Sequence, residues 1–240
     1  MKDIDLLKEF LEFPRWISDP VFDRFKTIDN HVYREADDMH EGRRFLFVNG
    51  QKEKKVVLVA HADTAYYHRE KHFVEVEDGC FIAVNEAGER TLLGADDRAG
   101  CAILWALKDS GHSILVTDAE EFNLFGTTWL VKDNPDIVQL LNQHQFMIQF
   151  DRRYGTDFVC VNVGSDDFRD YIRENTNYSE SRNSTRTDIC LLCTDICGVN
   201  ISVGYYDAHT VKEKIDYNQW LHTLNMARRL LSRDLPRFKL

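Results

Sequence analysis

The sequence predicts an α/β protein, a three-layer sandwich with a central mixed, mostly parallel β-sheet flanked by helices. Two observations predict it. Short apolar runs such as KVVLVAH at 55–61 and FMIQFD at 146–151 show no polar alternation, which is how a strand reads when both of its faces are covered. These runs alternate with segments of helical period, and strands alternating with helices form βαβ units around a parallel sheet. A chain of 240 residues suits one such domain, so residues 1–240 are expected to form a single unit.

Taken in order, apolar residues at helical spacing predict a first helix at about 2–12. Pro14 and Pro20 punctuate a second helical stretch ending near Thr27. Short strands follow at about 31–34 and 44–49, the latter closed by the turn pair Asn49 and Gly50. After the central strand at 55–61, residues 72–84 alternate as a hairpin around Asp78 and Gly79. A helix opens near Asp96 and carries Ala99, Ala102, Ile103 and Ala106 on one side. Further strands are expected near 113–117, 145–151, 157–163 and 198–205, and helices near 123–132, 134–142, 165–174 and 214–233. The polar stretch 175–186 reads as a long loop.

The formal net charge of −10 repels phosphate backbones and anionic membranes, so neither nucleic acid nor a membrane is expected as a partner. The N-terminal residues lack the apolar run of a signal peptide, and no segment has the ~20 continuous apolar residues of a membrane span. A cytoplasmic location is the expectation, with the six cysteines as reduced thiols. Cys190, Cys193 and Cys197 lie close together in an apolar run without a nearby fourth ligand, and read as small buried hydrophobes.

Five motifs carry candidate chemistry, and each stands where a predicted strand ends or a helix begins. His61 ends the central strand, where its imidazole could serve a metal while Asp63 holds the other ring nitrogen. Asp96 and Asp97 open a helix, a place where aspartates commonly act as caps. Two adjacent carboxylates repel, however, and a divalent cation would relieve that repulsion. Glu120 and Glu121 follow the apolar run 113–117 and precede Phe122, an awkward setting for a solvated charge pair. Metal-assisted hydrolysis needs one carboxylate on the metal and another free to take a proton. Asp151 and His209 again follow predicted strands.

With its order His-x-Asp, Gly-x-x-Asp, Glu-Glu, Asp and His, and with the flanking LLGADDRAG at 92–100, the chain resembles the co-catalytic zinc exopeptidase superfamily. That group includes aminopeptidases, tripeptidases and aminoacylases, and the resemblance spans about residues 55–220. It implies two Zn2+ ions, or Co2+ or Mn2+ on the same donors, held by His61, Asp97, Glu121, Asp151 and His209. His61 and Glu121 would belong largely to one metal, with Asp97 bridging the pair. Asp63 would orient His61 and Glu120 would be the general base. Asp188 occupies the place of a Thr-Asp or Ser-Asp motif and is given a supporting role. The intervals from His61 to Asp97 and from Asp151 to His209 leave no room for the lid or dimerisation domain that many relatives insert. The implied activity is hydrolysis of small peptides by an aminopeptidase. Deacylation of N-acyl amino acids and a non-catalytic metal-binding role are the alternatives. No residue pattern specifies an oligomeric state.

Overall fold

The structure is a computed structural model that describes residues 2–37, 42–66, 69–183 and 186–240. His68, and Ser184 and Thr185 of the polar loop, lie outside the described residues. The chain runs α1 (Asp3–Leu11), α2 (Asp19–Phe25), β1 (His31–Glu35), β2 (Arg44–Val48), β3 (Val57–His61), β4 (Phe73–Glu77), β5 (Cys80–Val84) and β6 (Arg90–Thr91). It continues through α3 (Ala95–Ala106), a short 3-10 turn, β7 (Ser113–Thr117), α4 (Phe125–Asp133), α5 (Pro135–Leu141), β8 (Met147–Arg152) and β9 (Asp157–Val159). The last elements are α6 (Asp166–Thr176), β10 (Ser179–Glu180), α7 (Ile189–Leu192), β11 (Gly198–Ser202), β12 (Tyr205–Tyr206), β13 (Lys214–Asp216) and α8 (Tyr217–Leu231).

Among the described residues the main sheet has eight strands in the order β1-β2-β7-β3-β8-β11-β9-β10. Its middle, β7-β3-β8-β11, is parallel, while β2 and β9 pair antiparallel. The expected three-layer α/β sandwich is therefore the architecture found. Its unbroken apolar strands serve two cores at once. Leu58 and Ala60 of β3 pack into one cluster with residues of α1, α3, α6 and α8, whereas Val57 and Val59 join Leu130, Ile137 and Leu192 on the other face. Successive side chains on a strand point to opposite faces, so a run without polar residues is what two covered faces require. No helix among the described residues is long and apolar enough to cross a membrane.

Three expected boundaries move, the first being that of the strand expected at 157–163, which ends at Val159. The strand expected at 198–205 ends at Ser202, and Gly204, at φ +97°, turns the chain so that Tyr205 and Tyr206 pair with β13 instead. Residues Lys214–Asp216, expected as the first turn of the last helix, are strand β13. The helix begins one residue later, because the Asp216 carboxylate accepts the N–H groups of Asn218 and Gln219 and so caps it. The outcome is a second, antiparallel sheet, β12-β13-β5-β4 with β6 on β5. The hairpin at 72–84 was legible as such, but its partners were not.

Candidate metal centre

β3, β7 and β8 run parallel and in register, with His61 opposite Thr117. Their carboxyl ends therefore deliver His61, the Glu120 and Glu121 turn, and Asp151 into one crevice, which is where open parallel sheets place their sites. α3 packs on β3 and β8 and brings its first residues to the same place. Gly100 permits that approach, since a Cβ there would lie 2.1 Å from the Phe150 carbonyl oxygen. His209 arrives from the turn between β12 and β13, so the second sheet supplies the last histidine.

Asp96 stands at the middle of the group. Its Oδ1 is 3.2 Å from His61 Nε2 and its Oδ2 is 3.2 Å from His209 Nε2. His61 Nε2 lies 3.6 Å from Asp151 Oδ1, and His209 Nε2 lies 2.7 Å from Glu121 Oε1. The side chains thus divide into a His61 and Asp151 pair and a His209 and Glu121 pair, one on each oxygen of Asp96.

Two placements differ from those expected, and Asp97 stays among the donor atoms that could hold an ion. Asp97, expected between the two halves, does not face both histidines. Its Oδ1 accepts the Gly100 N–H at 2.9 Å and its Oδ2 accepts the His61 N–H at 3.2 Å, so the fully buried carboxylate ties backbone to backbone. The reason is local: Asp96 and Asp97 both have non-helical backbone angles within α3, which turns two adjacent side chains in different directions. Second, His61 shares its side of Asp96 with Asp151, and Glu121 sits with His209. Donor atoms of His61, Asp96 and Glu121, and separately of His61, Asp97 and Asp151, nevertheless lie within 4.8 Å of one another.

The surrounding polar groups fix these side chains. Asp63 Oδ1 lies 3.2 Å from His61 Nδ1, and the two Asp63 oxygens accept the N–H groups of Glu120 and Glu121, each at 3.1 Å. One carboxylate therefore orients the histidine and anchors the double-glutamate turn. Asp151 accepts from Thr187 (2.8 Å), Gln149 (3.0 Å) and Tyr205 (3.4 Å). Asp188 is fully buried and accepts from Thr117 and Thr127, pinning the end of β7 to α4. Thr187, Gln149 and Tyr205 were not anticipated; the single polar residue inside the apolar run 146–151 was the available signal.

The electrostatics are those of anions crowded out of water. Burial and the nearby Asp151 push Glu120 up to about 10, and burial with Asp96 pushes Asp151 up to about 7. Burial and Asp151 also raise Asp97 well above the carboxylate range. Burial opposes a charge on His61, yet Asp63, Asp151 and Asp96 together raise it well above its usual value, and Asp96 and Glu121 push His209 up to about 11. Asp63 and Asp96, though buried, are held low by the histidines. Carboxyls held protonated by burial and by one another's charge would ionise around a divalent cation.

Glu121 Oε1 is buried and makes no hydrogen bond of good geometry, its near neighbour being His209 Nε2 at 2.7 Å. A buried charged oxygen without a donor is costly, and a cation between Glu121 and His209 would satisfy it. Histidine and carboxylate donors suit zinc, and equally cobalt or manganese. A cleft of about 930 Å³ borders the centre at Asp63 and Thr64 and is lined further by Arg15, Arg44, Phe122 and Phe125.

No family model matches the chain and no curated protein matches it in sequence. Solved structures match it in fold. The aminopeptidase PepT of Bacillus cereus superposes with a TM-score of 0.69 at 13% identity, over 97% of this chain and 98% of that one. A tripeptidase from Staphylococcus aureus gives 0.70 at 13% identity, over 96% and 97%. The chain has the fold of these peptidases. The TET1 peptidase of Pyrococcus horikoshii, which can assemble into a tetrahedron or a large octahedral shell, gives 0.59 at 14% identity over 96% and 99%.

The other candidates take structural places. Cys80, Cys101, Cys160, Cys193 and Cys197 are buried and unpaired, and Cys190 is partly so. His112 and His144 are buried and hydrogen-bonded, and His72 bonds the Leu11 carbonyl. Arg182 and Arg186 are exposed, as expected of arginines on a polar loop.

Proposed function

We propose that the protein is a metal-dependent hydrolase that cleaves peptide bonds, an aminopeptidase acting on small peptides. The observation that carries this reading is Asp96, with one carboxylate oxygen toward each of two histidines and Glu120 beside them. His61 and Asp151 would hold one ion, His209 and Glu121 a second, and Asp96 both. Zinc is the first choice. Two such ions would supply a lowered water pKa and polarisation of the scissile carbonyl.

The chain's own residues do the rest. Asp63 keeps the His61 ring in one orientation through Nδ1, leaving Nε2 as the donor. Glu120, whose backbone is anchored by the same Asp63, takes a proton from water and returns it to the leaving amine. Burial and Asp151 raise its carboxyl, and a cation beside it would lower it again and free it to accept that proton. The cleft at Asp63 and Thr64 has room for a short peptide.

We propose further that residues 1–240 work as one catalytic unit without a lid or dimerisation insert, in the cytoplasm. The fold shared with aminopeptidases and tripeptidases supports the choice of peptides over N-acyl amino acids. The test is a screen of aminoacyl and N-acyl substrates with zinc, cobalt and manganese, each with a chelator control. Turnover of aminoacyl substrates alone supports the reading, turnover of N-acyl substrates alone replaces it with a deacylase, and no turnover with any metal removes it.

A further inference from the structure

Four residues beyond His209 lies a carboxylate that the chemistry above leaves unused. Glu213 is fully buried. Its Oε2 accepts the N–H groups of Leu93 (3.0 Å) and Gly94 (2.7 Å), and its Oε1 accepts the N–H of Asp96 itself (3.2 Å). Three backbone donors of the turn that delivers Asp96 thus end on one side chain from a different part of the chain. On the other side of that turn the buried Arg15 guanidinium donates to the Leu92 carbonyl and to Thr91. A cation on its carbonyl and an anion on its N–H groups fix how the turn points.

Glu213 is equally tied to the turn that carries His209. Its own N–H donates to the Thr210 carbonyl at 3.1 Å, and the Thr210 hydroxyl accepts from the Lys212 N–H and donates to the Asp207 carbonyl. Glu213 and the His209 to Asp96 contact are the only hydrogen-bonded links between residues 92–97 and 207–213 among the described residues. The His209 side chain is half-exposed, so packing alone does not hold it. Only a carboxylate suits the position. It offers two acceptor oxygens, whereas the amide of glutamine would turn one of them into an NH2 facing backbone N–H.

We propose that Glu213 is a positioning residue that sets the separation of Asp96 and His209, and so the affinity of the ion held by His209 and Glu121. The inference rests on the two-metal reading above. Outer partners of metal ligands typically change metal affinity by ~10- to 100-fold when removed, and that range is the expected effect here.

The test titrates apo-protein with Co2+, reading calorimetry and visible absorption, for the wild type and for Glu213→Gln, Glu213→Asp and His209→Ala. Circular dichroism and urea unfolding report whether each variant is folded. The wild type should bind two equivalents and His209→Ala should lose one of them. Glu213→Gln should weaken that same site by ~10- to 100-fold with the other unchanged, and Glu213→Asp, which keeps the charge, should weaken it less. Glu213→Gln binding both ions as the wild type does, or losing both alike, overturns the inference. If Glu213→Gln fails to fold, Glu213→Asp decides, and wild-type affinity at both sites in that folded variant overturns it. Fewer than two equivalents in the wild type removes the two-metal reading first, and this inference with it.

Discussion

Asp96 and His209 are 113 positions apart in the chain, one in α3 and the other between β12 and β13, yet the Asp96 Oδ2 lies 3.2 Å from the His209 Nε2. The other oxygen of the same carboxylate is 3.2 Å from His61. A carboxylate shared between two histidines divides the site into two halves, and it separates the roles of two adjacent aspartates.

Substituting those aspartates should therefore give different defects. Asp96→Asn removes a shared ligand and should weaken metal binding by more than ~100-fold, beyond the loss expected for an outer partner. Asp97→Asn should keep both metals but lose part of the acceptance of the His61 and Gly100 N–H groups, costing ~1–3 kcal/mol of stability. Metal content by elemental analysis and urea unfolding of both variants check this pair of outcomes.

Glu120→Gln should retain two metals and an intact fold while kcat falls by ~10²- to 10⁴-fold, the usual contribution of a general base. Steady-state kinetics on an aminoacyl substrate, beside metal analysis, is the measurement. A fully active variant would take Glu120 out of the mechanism.

Close packing at the start of α3 leaves no room for a side chain at Gly100, where a Cβ would meet the Phe150 carbonyl at 2.1 Å and Asp97 Oδ1 at 2.4 Å. Gly100→Ala should destabilise the protein by ~1–3 kcal/mol and lower metal affinity as α3 shifts away from β8. Urea unfolding reads the first effect and metal titration the second.

Acid should destabilise the fold through two histidines far from the metal centre. His112 Nδ1 accepts the Val56 N–H and its Nε2 lies 3.1 Å from the Leu231 carbonyl, while His144 sits between Ser113 and the carbonyls of Leu140 and Leu141. Burial lowers both from 6.5 to about 4. The neutral form is favoured in the native state, so the stabilisation is complete above 6.5 and is lost as pH falls toward 4. A difference of that size corresponds to roughly 3 kcal/mol per histidine at most. Urea midpoints at pH 7 and pH 4.5 should show the fall, and His144→Gln should reduce the dependence by about one proton.

How much of this was legible in the sequence depended on how local the cause was. The run 55–61 announced a doubly covered strand because both of its faces are apolar, and His61, Glu120, Glu121, Asp151 and His209 were visible as charged groups at strand ends. The aspartate facing both histidines was not legible, because the backbone angles at Asp96 and Asp97 decide it and both residues look alike in sequence. The second sheet was hidden for a related reason: Tyr205 and Tyr206 continue the pattern of β11, and only the turn at Gly204 sends them elsewhere. Glu213 gave no signal, since its three partners are backbone groups about 120 positions away.

Two ions on Asp96 would make this chain a peptidase. Titrating metal-free protein with Zn2+ while following hydrolysis of an unblocked tripeptide tests it most directly. Activity should be absent in the apo-protein, rise to a plateau at two equivalents and vanish on chelation. A protein that binds two equivalents without releasing any amino acid, or that hydrolyses the peptide unchanged in excess chelator, would contradict it.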